Sequence, residues 1–279
     1  MPAIPSVPHF ISGLPRSGST LLAALLRQNP AFHAGMSSPV GPLMEHMWAA
    51  MGAGNELALF IDEAQRRDLL LGIFSAYYRH LMGTRVIFDT NRIWCARLDI
   101  LAELFPAAKI ICCVREVAWI LDSFERITRA NAFTLSRMYS RDQAATVYSR
   151  VDAMASASGV VGFALNALRE AFYGPHAGRL VLVDYEALAR EPKGTMEFLY
   201  ERLELAPFAH DFANIDYDAR DFDRQIGAPG LHSVSPQVRF APRKTLLPPD
   251  LFARFETDDF WRDPVRNQGQ AAILLPLPA

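Results

Sequence analysis

Four short apolar runs recur along the chain, and a helical pattern separates each run from the next. They cover residues 9–12, 85–89, 109–114 and 179–183. A strand that is apolar without alternation is buried on both of its faces, which is typical of a parallel sheet covered by helices. The pattern therefore predicts an α/β fold of three layers, with a central parallel sheet and helices on both faces.

The intervals between these runs predict the helices and the domain organisation. Helices are predicted over residues 18–29, 62–82, 92–104, 117–131, 142–172, 193–204 and 249–255. Residues 31–55 predict a loop with helical pieces, and we expect a break near Gly159 or Gly162. The chain is loop-rich from about residue 207, with an irregular tail after Trp261. No repeat or linker divides residues 1–279, so we predict a single domain.

Composition and charge exclude several classes of protein. Hydrophobic residues make up 51% of the chain and charged residues 21%, which excludes a mainly disordered chain. A formal net charge of −2 offers no general attraction for nucleic acid, so an anionic ligand would depend on local charge. No apolar run is long enough to span a bilayer, and Met1 to Pro5 lack the pattern of a signal peptide. The three cysteines cannot form a disulfide framework, and these features together predict a cytoplasmic protein.

The first strand leads into a loop suited to an anion. Two glycines frame it, and hydroxyl side chains and one arginine lie between and after them. The candidate ligands are Arg16, Ser17, Gly18, Ser19 and Thr20. Unpaired N–H groups at a helix start, and about half a positive charge from the helix dipole, favour an anion there. The alternative is a strand–turn–helix whose Ser and Gly residues are incidental.

This loop is P-loop-like but lacks one residue of the nucleotide-triphosphatase pattern G-x-x-x-x-G-K-S/T. The spacing of the two glycines matches, but Ser19 stands where the lysine belongs, and the cation is Arg16 instead. The missing lysine weakens an assignment as a kinase or ATPase, since that lysine bridges the terminal phosphates.

The third strand also ends next to a candidate anion ligand. Arg115 follows this strand directly, and Ser123 lies eight residues on, about two helical turns away. The two side chains could share one phosphate. Alternatively, Arg115 pairs with Glu116 or Asp122, and Ser123 is an exposed helix residue.

Together the two sites resemble a known family. G-L-P-R-S-G-S-T-L-L followed by V-R-E-V-A-W-I-L-D-S is similar to the sulfotransferases that use 3′-phosphoadenosine 5′-phosphosulfate (PAPS), and most similar to the tyrosylprotein, carbohydrate-type and bacterial members with a Pro-Arg loop. The resemblance implies that the first loop binds the 5′-phosphosulfate, and that Arg115 and Ser123 bind the 3′-phosphate. It implies PAPS as the co-substrate, with no metal.

Two later segments extend the resemblance. L-V-D-Y-E at residues 182–186 is similar to the segment whose tyrosine, here Tyr185, contacts the adenine end. The loop at residues 230–235, with Ser233, and then Arg243 and Lys244 resemble the part that closes over the nucleotide. Ordinary turn chemistry for Ser233, and solvation for the two basic residues, are the alternatives.

The resemblance implies an in-line transfer to a hydroxyl, in which Arg16 and the loop amides hold the oxygens that gain charge. A glutamate expected as the base falls at about Ser37, and Glu45 is the nearest carboxylate. His33 and His46 compete with it, because a histidine pKa suits proton transfer.

A lysine expected at the end of the second strand reads Thr90 here. Arg92 is then the substitute cation, unless it is a helix-start surface charge. Asp89 is a further candidate base, unless it caps the following helix. The catalytic prediction is therefore Arg16, Glu45 and Arg92.

Two other functions stay open. Residues 179–184 form an apolar run that ends in Asp184, as in a magnesium-dependent P-loop kinase or NTPase. Ser37 and Thr90, the departures from the family pattern, allow a non-catalytic module that binds phosphate or sulfate. No His or Cys residues have metal-ligand spacing, so no metal is predicted.

The acceptor is expected to be a small-molecule, peptide or carbohydrate hydroxyl. Residues 36–82 and 124–172 are the long excursions between the nucleotide motifs, so we expect them to line the acceptor side. A largely apolar pocket is predicted from Met36, Met44, Met47, Trp48, Phe124, Phe133 and Tyr139. The alternative for these residues is core packing.

Overall fold

The computed structural model describes residues 7–277, and in this part of the chain six strands form one parallel sheet. The strands are β1 His9–Gly13, β2 Phe32–Ala34, β3 Val86–Thr90, β4 Ile110–Val114, β5 Leu180–Asp184 and β6 Ala272–Leu274. Their order across the sheet is β2-β3-β1-β4-β5-β6. The first five residues, on which the expectation about a signal peptide rests, lie outside the described residues.

The position of β1 determines where a ligand can bind. β1 lies in the middle of the sheet, since it pairs with β3 on one edge and with β4 on the other. Strands β2 and β3 therefore lie on one side of it, and β4, β5 and β6 lie on the other. The register pairs Ile11 with Thr90 and Gly13 with Cys113, so the three strands end side by side. Ligands of open α/β sheets bind at such a switch point, beyond the carboxyl ends of the strands.

Alternate strand residues face two separate cores, as continuous apolarity predicts. Phe10 and Cys112 pack in one core, and Ile11 and Cys113 in the other. The helices Ser19–Leu26, Tyr185–Arg190 and Pro192–Arg202 cover the second of these faces, and helices that include Val117–Ala130 and Val160–Tyr173 cover the first. The three-layer α/β fold is confirmed.

The helices follow the predicted order with shifted bounds. They are α1 Ser19–Leu26, α2 Val40–Ala50, α3 Glu63–Tyr77, α4 Ile93–Ala96, α5 Leu98–Leu104, α6 Val117–Ala130, α7 Val147–Ala155, α8 Val160–Tyr173, α9 Tyr185–Arg190, α10 Pro192–Arg202, α11 Arg220–Gln225 and α12 Pro249–Phe255. The predicted helix over residues 92–104 is two helices, because Arg97 between them leaves helical geometry at φ −124 and ψ 26. The expected break near Gly159 is present, since α7 ends at Ala155 and α8 begins at Val160.

Two strands were missed by the sequence analysis. Residues 31–55 were predicted as a loop with helical pieces, but β2 lies within them, and the tail predicted as irregular contains β6. Both strands have three residues and lie at the edges of the sheet. Such short runs show no recognisable period, and their pairing depends on the neighbouring strand.

One stretch bears on the expectation that no apolar run is long enough to span a bilayer. Within the described residues, Val147–Tyr173 has the length and mean hydropathy of a span, at 1.4, and 44% of its most apolar window is buried in the protein. A core helix of a soluble protein passes the same test, so this is weak evidence. The stretch is in fact two helices, α7 and α8, and the buried residues of α8 pack in the core.

Candidate active site

The loop after β1 is a tight turn that leaves the start of α1 open. Gly13, Arg16 and Gly18 have φ values of 91, 59 and 92. A Cβ on Gly13 would lie 2.4 Å from the carbonyl oxygen of Cys113, so only glycine lets β1 and β4 approach in this way. No side chain caps the first turn of α1, so its amides are available to an anion.

Ser17 supports this turn by its side chain. The residue is buried, and its hydroxyl donates to the carbonyl oxygen of Pro15 at 3.3 Å. Its neighbours Gly18, Ser19 and Thr20 line the cleft described below, but Ser17 does not. The predicted role of the Ser17 hydroxyl as a ligand is therefore corrected, because the hydroxyl is already engaged inside the turn.

The two candidate anion sites meet at the carboxyl ends of β1 and β4. Arg16 Nε donates to Ser123 Oγ at 3.0 Å, and Arg115 Nη1 donates to the Arg16 carbonyl oxygen at 3.5 Å. The Arg115 guanidinium also lies 4.2 Å from the ring centre of Tyr185. Gly18 makes room for that ring, since a Cβ there would come within 3.1 Å of it. Arg16, Arg115, Ser123 and Tyr185, which were predicted from separate motifs, thus lie together at the ends of these strands.

We call the resulting cavity the anion cleft; it has a volume of about 190 Å³. Five guanidinium groups line it, and no Asp or Glu does among the residues that the structure describes. They belong to Arg16, Arg92, Arg115, Arg239 and Arg243. Ser19, Thr20, Ser123 and Ser233 add hydroxyl groups. A protein of net charge −2 therefore concentrates positive charge in one place, which suits a ligand of several negative charges.

Burial and the repulsion between Arg16 and Arg115 lower the pKa of Arg16. Desolvation lowers it first, and the positive charge of Arg115 lowers it further, to about 10. The side chain is still protonated at neutral pH, so it carries a charge that is only partly solvated. An anion in the cleft would replace both the lost water and the missing negative charge.

Buried Asp122 on α6 holds residues 243–246 against the anion cleft, and we call this segment the late loop. Its carboxylate accepts from Arg243 at 2.8 Å, from Arg126 at 2.9 Å and from the backbone amide of Leu246 at 2.6 Å. Arg243 is positioned in this way from a distant part of the chain. Lys244 is exposed and does not line the cleft, and its carbonyl oxygen accepts from Arg126. The predicted placement of Lys244 on the ligand is thus corrected.

A group of aromatic rings borders the anion cleft. Trp119, Tyr185 and Phe240 line a cavity of about 180 Å³, which we call the aromatic cavity. It shares Arg115, Tyr185 and Arg243 with the anion cleft. A planar group bound there would be continuous with an anion bound in the cleft.

On the other side, the anion cleft opens to an apolar cavity of about 330 Å³. Ser19, Arg92, Leu231 and His232 line both of them. The apolar side chains of this cavity include those of Met36, Phe124, Met138, Val160, Phe222 and Ile226. Thr90 and Ser37, the two departures from the family pattern, lie in its lining as well.

Two of the residues predicted for an apolar acceptor pocket, Met36 and Phe124, line the apolar cavity. Met44 and Tyr139 are buried in the core, and Met47 packs against it. Trp48 is exposed beneath the Arg97 guanidinium, and Phe133 is fully exposed. These five residues do not line the apolar cavity, and Phe133 and Tyr139 line a separate cavity of about 470 Å³.

The four candidate bases line neither the anion cleft nor the apolar cavity; they are Glu45, His33, His46 and Asp89. Glu45 is paired with Arg97 through two hydrogen bonds of 2.6 and 2.8 Å. His46 Nδ1 lies 2.6 Å from the Pro42 carbonyl oxygen, and His33 packs edge-on against Tyr78. The structure therefore does not bring Glu45 to the anion cleft, because its carboxylate is held by an arginine of the α4–α5 junction.

Asp89, the fourth candidate base, is enclosed at the end of β3. Its carboxylate accepts from Ser38 Oγ and Tyr78 OH, each at 2.6 Å, and from Trp94 Nε1 at 2.8 Å. Desolvation raises the pKa of this carboxyl. With no exposed surface and three donors in place, Asp89 supports the strand end and does not face a substrate.

The sequence analysis missed a histidine–aspartate pair between the two cavities. His232 Nδ1 lies 2.5 Å from Asp223 Oδ1, and the His232 backbone amide donates to Asp223 Oδ2 at 2.8 Å. Asp223 is 1% exposed. Burial lowers the pKa of His232, only partly opposed by Asp223, and the charges of Arg16 and Arg92 lower it too. A neutral ring whose Nδ1–H faces the carboxylate leaves Nε2 free to accept a proton.

Only a weak signal in the sequence could have identified this pair. Asp223 and His232 stand nine residues apart in a segment that predicts loops, and His232 follows directly on a Gly-Leu turn. An acid and a histidine at that spacing are common by chance. Their meeting depends on how the loop after α11 returns to the sheet.

Asp184 at the end of β5 bears on the kinase alternative. Its Oδ1 accepts from the backbone amide of Glu186 at 2.8 Å, and its Oδ2 pairs with Arg262 at 3.0 Å. Both carboxylate oxygens are therefore engaged by protein groups. Within residues 7–277 no group of three or more His, Cys, Asp or Glu side chains is placed to hold a metal ion.

Comparisons with known proteins agree with the motifs. A family model described as "Sulfotransferase family" matches residues 8–210. The protein "Protein-tyrosine sulfotransferase 1" of Danio rerio is 30% identical over 116 residues, and the match covers 38% of this chain and 32% of that protein. The match thus spans about a third of the length of this curated relative.

Solved structures also match over most of the chain. The "Sulfotransferase Domain from the Curacin Biosynthetic Pathway" is 16% identical, with a TM-score of 0.48, and the match covers 99% of this chain and 93% of that one. The "Sulfotransferase Domain from the Synechococcus PCC 7002 Olefin Synthase" is 18% identical, with a TM-score of 0.45, and the match covers 98% and 90%.

Proposed function

The chain belongs to the sulfotransferase family, and from this premise we propose that it transfers the sulfuryl group of PAPS to an acceptor hydroxyl. One observation carries the proposal: five guanidinium groups line a single cleft where β1 and β4 end, directly beside an apolar cavity. A nucleoside donor with phosphate groups at both ends needs the cluster of arginines. A neutral hydroxyl acceptor needs a cavity beside that cluster.

The cleft and the aromatic cavity suggest how the donor is held. The amides at the start of α1, with Ser19 and Thr20, receive the 5′-phosphosulfate. Arg115, Ser123 and Arg243 receive the 3′-phosphate. The rings of the aromatic cavity lie beside Arg115 and offer a stacking surface for adenine.

The reaction is an in-line displacement in which His232 is the base. His232 Nε2 takes the proton of the acceptor hydroxyl as the hydroxyl oxygen bonds to sulfur. The bond from sulfur to the 5′-phosphate oxygen breaks, and the products are a sulfate ester and 3′,5′-adenosine bisphosphate. Arg16 and Arg92 stabilise the negative charge that collects on the departing phosphate and the sulfuryl oxygens. Asp223 orients the ring and stabilises its protonated form.

Calorimetry with 3′,5′-adenosine bisphosphate tests the proposal. We expect submicromolar binding that EDTA does not change, because no metal contributes. Adenosine 5′-monophosphate, which lacks the 3′-phosphate, is the matched ligand control and should bind far more weakly. An absence of binding at millimolar bisphosphate would rule out the proposed donor.

One of the two rival functions loses its motivating residue. The kinase alternative depended on Asp184 as a metal ligand, and this carboxylate is paired with Arg262. ATP binding that requires magnesium would nevertheless restore it. The non-catalytic alternative is tested by transfer of radiolabelled sulfate from PAPS to a panel of hydroxyl acceptors.

We further propose a cytoplasmic location. Cys95, Cys112 and Cys113 are free and buried, and the Cys95 and Cys112 sulfurs lie 3.5 Å apart without a disulfide. Unpaired thiols so close together are in keeping with a reducing compartment.

A further inference from the structure

The apolar cavity carries charge of one sign. Among its described lining residues Arg92 and Arg137 are the charged side chains, His232 is the titratable one, and no Asp or Glu is present. Arg92 is shared with the anion cleft, but Arg137 lines the apolar cavity alone. A cationic acceptor would be repelled by both arginines, so the charge favours a neutral or anionic acceptor.

Arg137 differs from its neighbouring arginines. Arg126, Arg129 and Arg150, on the adjacent helices α6 and α7, each pair with a buried Asp or Glu. No ion pair of the described chain includes Arg137, although its backbone amide donates to Ile226 at 3.4 Å. Arg137 is an exposed residue that lines the apolar cavity. It therefore brings a positive charge without an ion-pair partner to this cavity.

The size and remaining lining of the cavity limit the acceptor further. Its volume of about 330 Å³ is at the low end of the roughly 300–1,000 Å³ found for small-molecule sites. Nine of its lining side chains are apolar, and the other eight are polar or charged. Among the polar ones, the buried hydroxyl of Thr90 has no hydrogen-bond partner in the described chain. The cavity fits a small molecule that combines an apolar body with polar groups.

We propose that the acceptor is a small hydroxy acid, which deepens the proposed function and rests on it. Its hydroxyl faces His232 and Arg92, where the apolar cavity meets the anion cleft. Its apolar body lies between Phe124 and Met138, and its acidic group pairs with Arg137. Neutral sugars and amines lack the group that Arg137 binds.

Matched ligands test this proposal. One series is 3-(4-hydroxyphenyl)propanoate, its amide and tyramine, which share a body and differ in charge. A second is 10-hydroxydecanoate and its amide, with an aliphatic body. Calorimetry measures binding to the protein, both alone and saturated with 3′,5′-adenosine bisphosphate. In at least one series we expect the acid to bind at least about fivefold more tightly than the amide, a factor that allows for solvent screening at exposed Arg137. Tyramine should bind weakest.

Variants identify the residue responsible. Arg137→Gln should remove the difference between acid and amide while the affinity for the bisphosphate is unchanged. Arg137→Lys should restore part of it. Arg141→Gln is the matched control, since Arg141 is an exposed arginine of the same segment outside the cavities described above, and it should behave like the parent protein.

Several outcomes would overturn the hydroxy acid. These are equal binding of acid and amide, no binding of either series with or without the bisphosphate, and an acid preference that survives Arg137→Gln. Preference for a tyrosine-containing peptide over all the small ligands would also overturn it. Failure of the bisphosphate to bind, with an acid preference that depends on Arg137 intact, would count against the proposed donor alone.

Discussion

At the scale of single residues, the site depends on charges that the protein itself leaves unbalanced. Arg16, Arg92 and Arg115 line one cleft with no acidic side chain among its described residues. Arg16 is still charged at neutral pH, although burial and Arg115 lower its pKa to about 10. Such preorganised charge costs little reorganisation when negative charge develops on a substrate.

Arg16→Ala tests the part of this charge nearest the reacting group. We expect kcat to fall by about 10²–10³, the loss typical when one donor to a transition-state oxyanion is removed. Steady-state kinetics with PAPS gives the value. A variant that keeps its kcat and loses only donor affinity would move Arg16 from the transition state to ground-state binding.

Arg115→Ala tests the other end of the donor. Because its guanidinium lies beside Tyr185 and reaches the cleft, we expect weaker binding of 3′,5′-adenosine bisphosphate by about 1.5–3 kcal/mol, as for a charge-assisted hydrogen bond. Calorimetry measures this, and adenosine 5′-monophosphate should lose much less. A defect in turnover with intact affinity would contradict this division of roles.

His232→Gln tests the assigned base. We expect kcat to fall by about 10²–10⁴, the usual contribution of general base catalysis, with little change in bisphosphate affinity. His46→Gln is the matched control, because His46 lies outside both cavities on α2. Equal loss of activity in the two variants would remove His232 from the mechanism.

The pH profile gives an independent test of the same histidine. The base must be neutral, so activity is present above its pKa and is lost as pH falls through it. Burial lowers that pKa from its usual 6.5, so the acid limb of kcat/KM should lie below 6.5. Asp223→Asn removes the charge that partly opposes this shift, and should move the limb to still lower pH. A limb above 6.5 would contradict the assignment.

At the scale of elements, the junction from β1 to α1 is the most constrained part of the fold. Gly13 lies at φ 91 against the backbone of Cys113, and Gly18 lies at φ 92 against the ring of Tyr185. The turn therefore aims the open amides of α1 at the same place that Arg115 reaches from β4. Asp122 brings the late loop to that place from α6.

Gly13→Ala should strongly destabilise this junction. The new Cβ would meet the Cys113 carbonyl oxygen at 2.4 Å in a backbone conformation that alanine disfavours. We expect the free energy of unfolding to fall by more than about 2 kcal/mol, measured in urea. Gly72→Ala in α3 is the control, since no atom lies near its Cβ, and it should stabilise by roughly 0.5–1 kcal/mol. Similar values for both variants would show that the contact at Gly13 is relieved.

At the scale of the whole molecule, charge and apolar surface are separated across the switch point of the sheet. The chain has a net charge of −2, and yet the anion cleft is lined by five arginines and the adjoining cavity is mostly apolar. The order β2-β3-β1-β4-β5-β6 makes this possible, because β2 and β3 lie on one side of β1 and β4, β5 and β6 lie on the other. The proposed donor and acceptor sites then meet at Arg92 and His232, which line both cavities.

Local patterns in the sequence were enough for the α/β architecture and for several residues that line the anion cleft. A buried strand, a glycine turn and a helix start are each encoded within a few residues, so the α/β fold and the positions of Arg16, Arg115 and Ser123 followed from short stretches. Edge strands β2 and β6 did not follow, since three residues carry no period and pair only because a neighbouring strand is present.

Only the tertiary structure decided which side chains lie at the proposed acceptor site. Glu45 was the nearest carboxylate along the chain, but Arg97 holds it outside the site. Asp223 on α11 and His232 in the loop after it come from far along the chain, and His232 reaches the switch point only through the tertiary fold. The physical reason is that a backbone pattern records which element forms, whereas side-chain partners depend on contacts between segments that no local pattern relates.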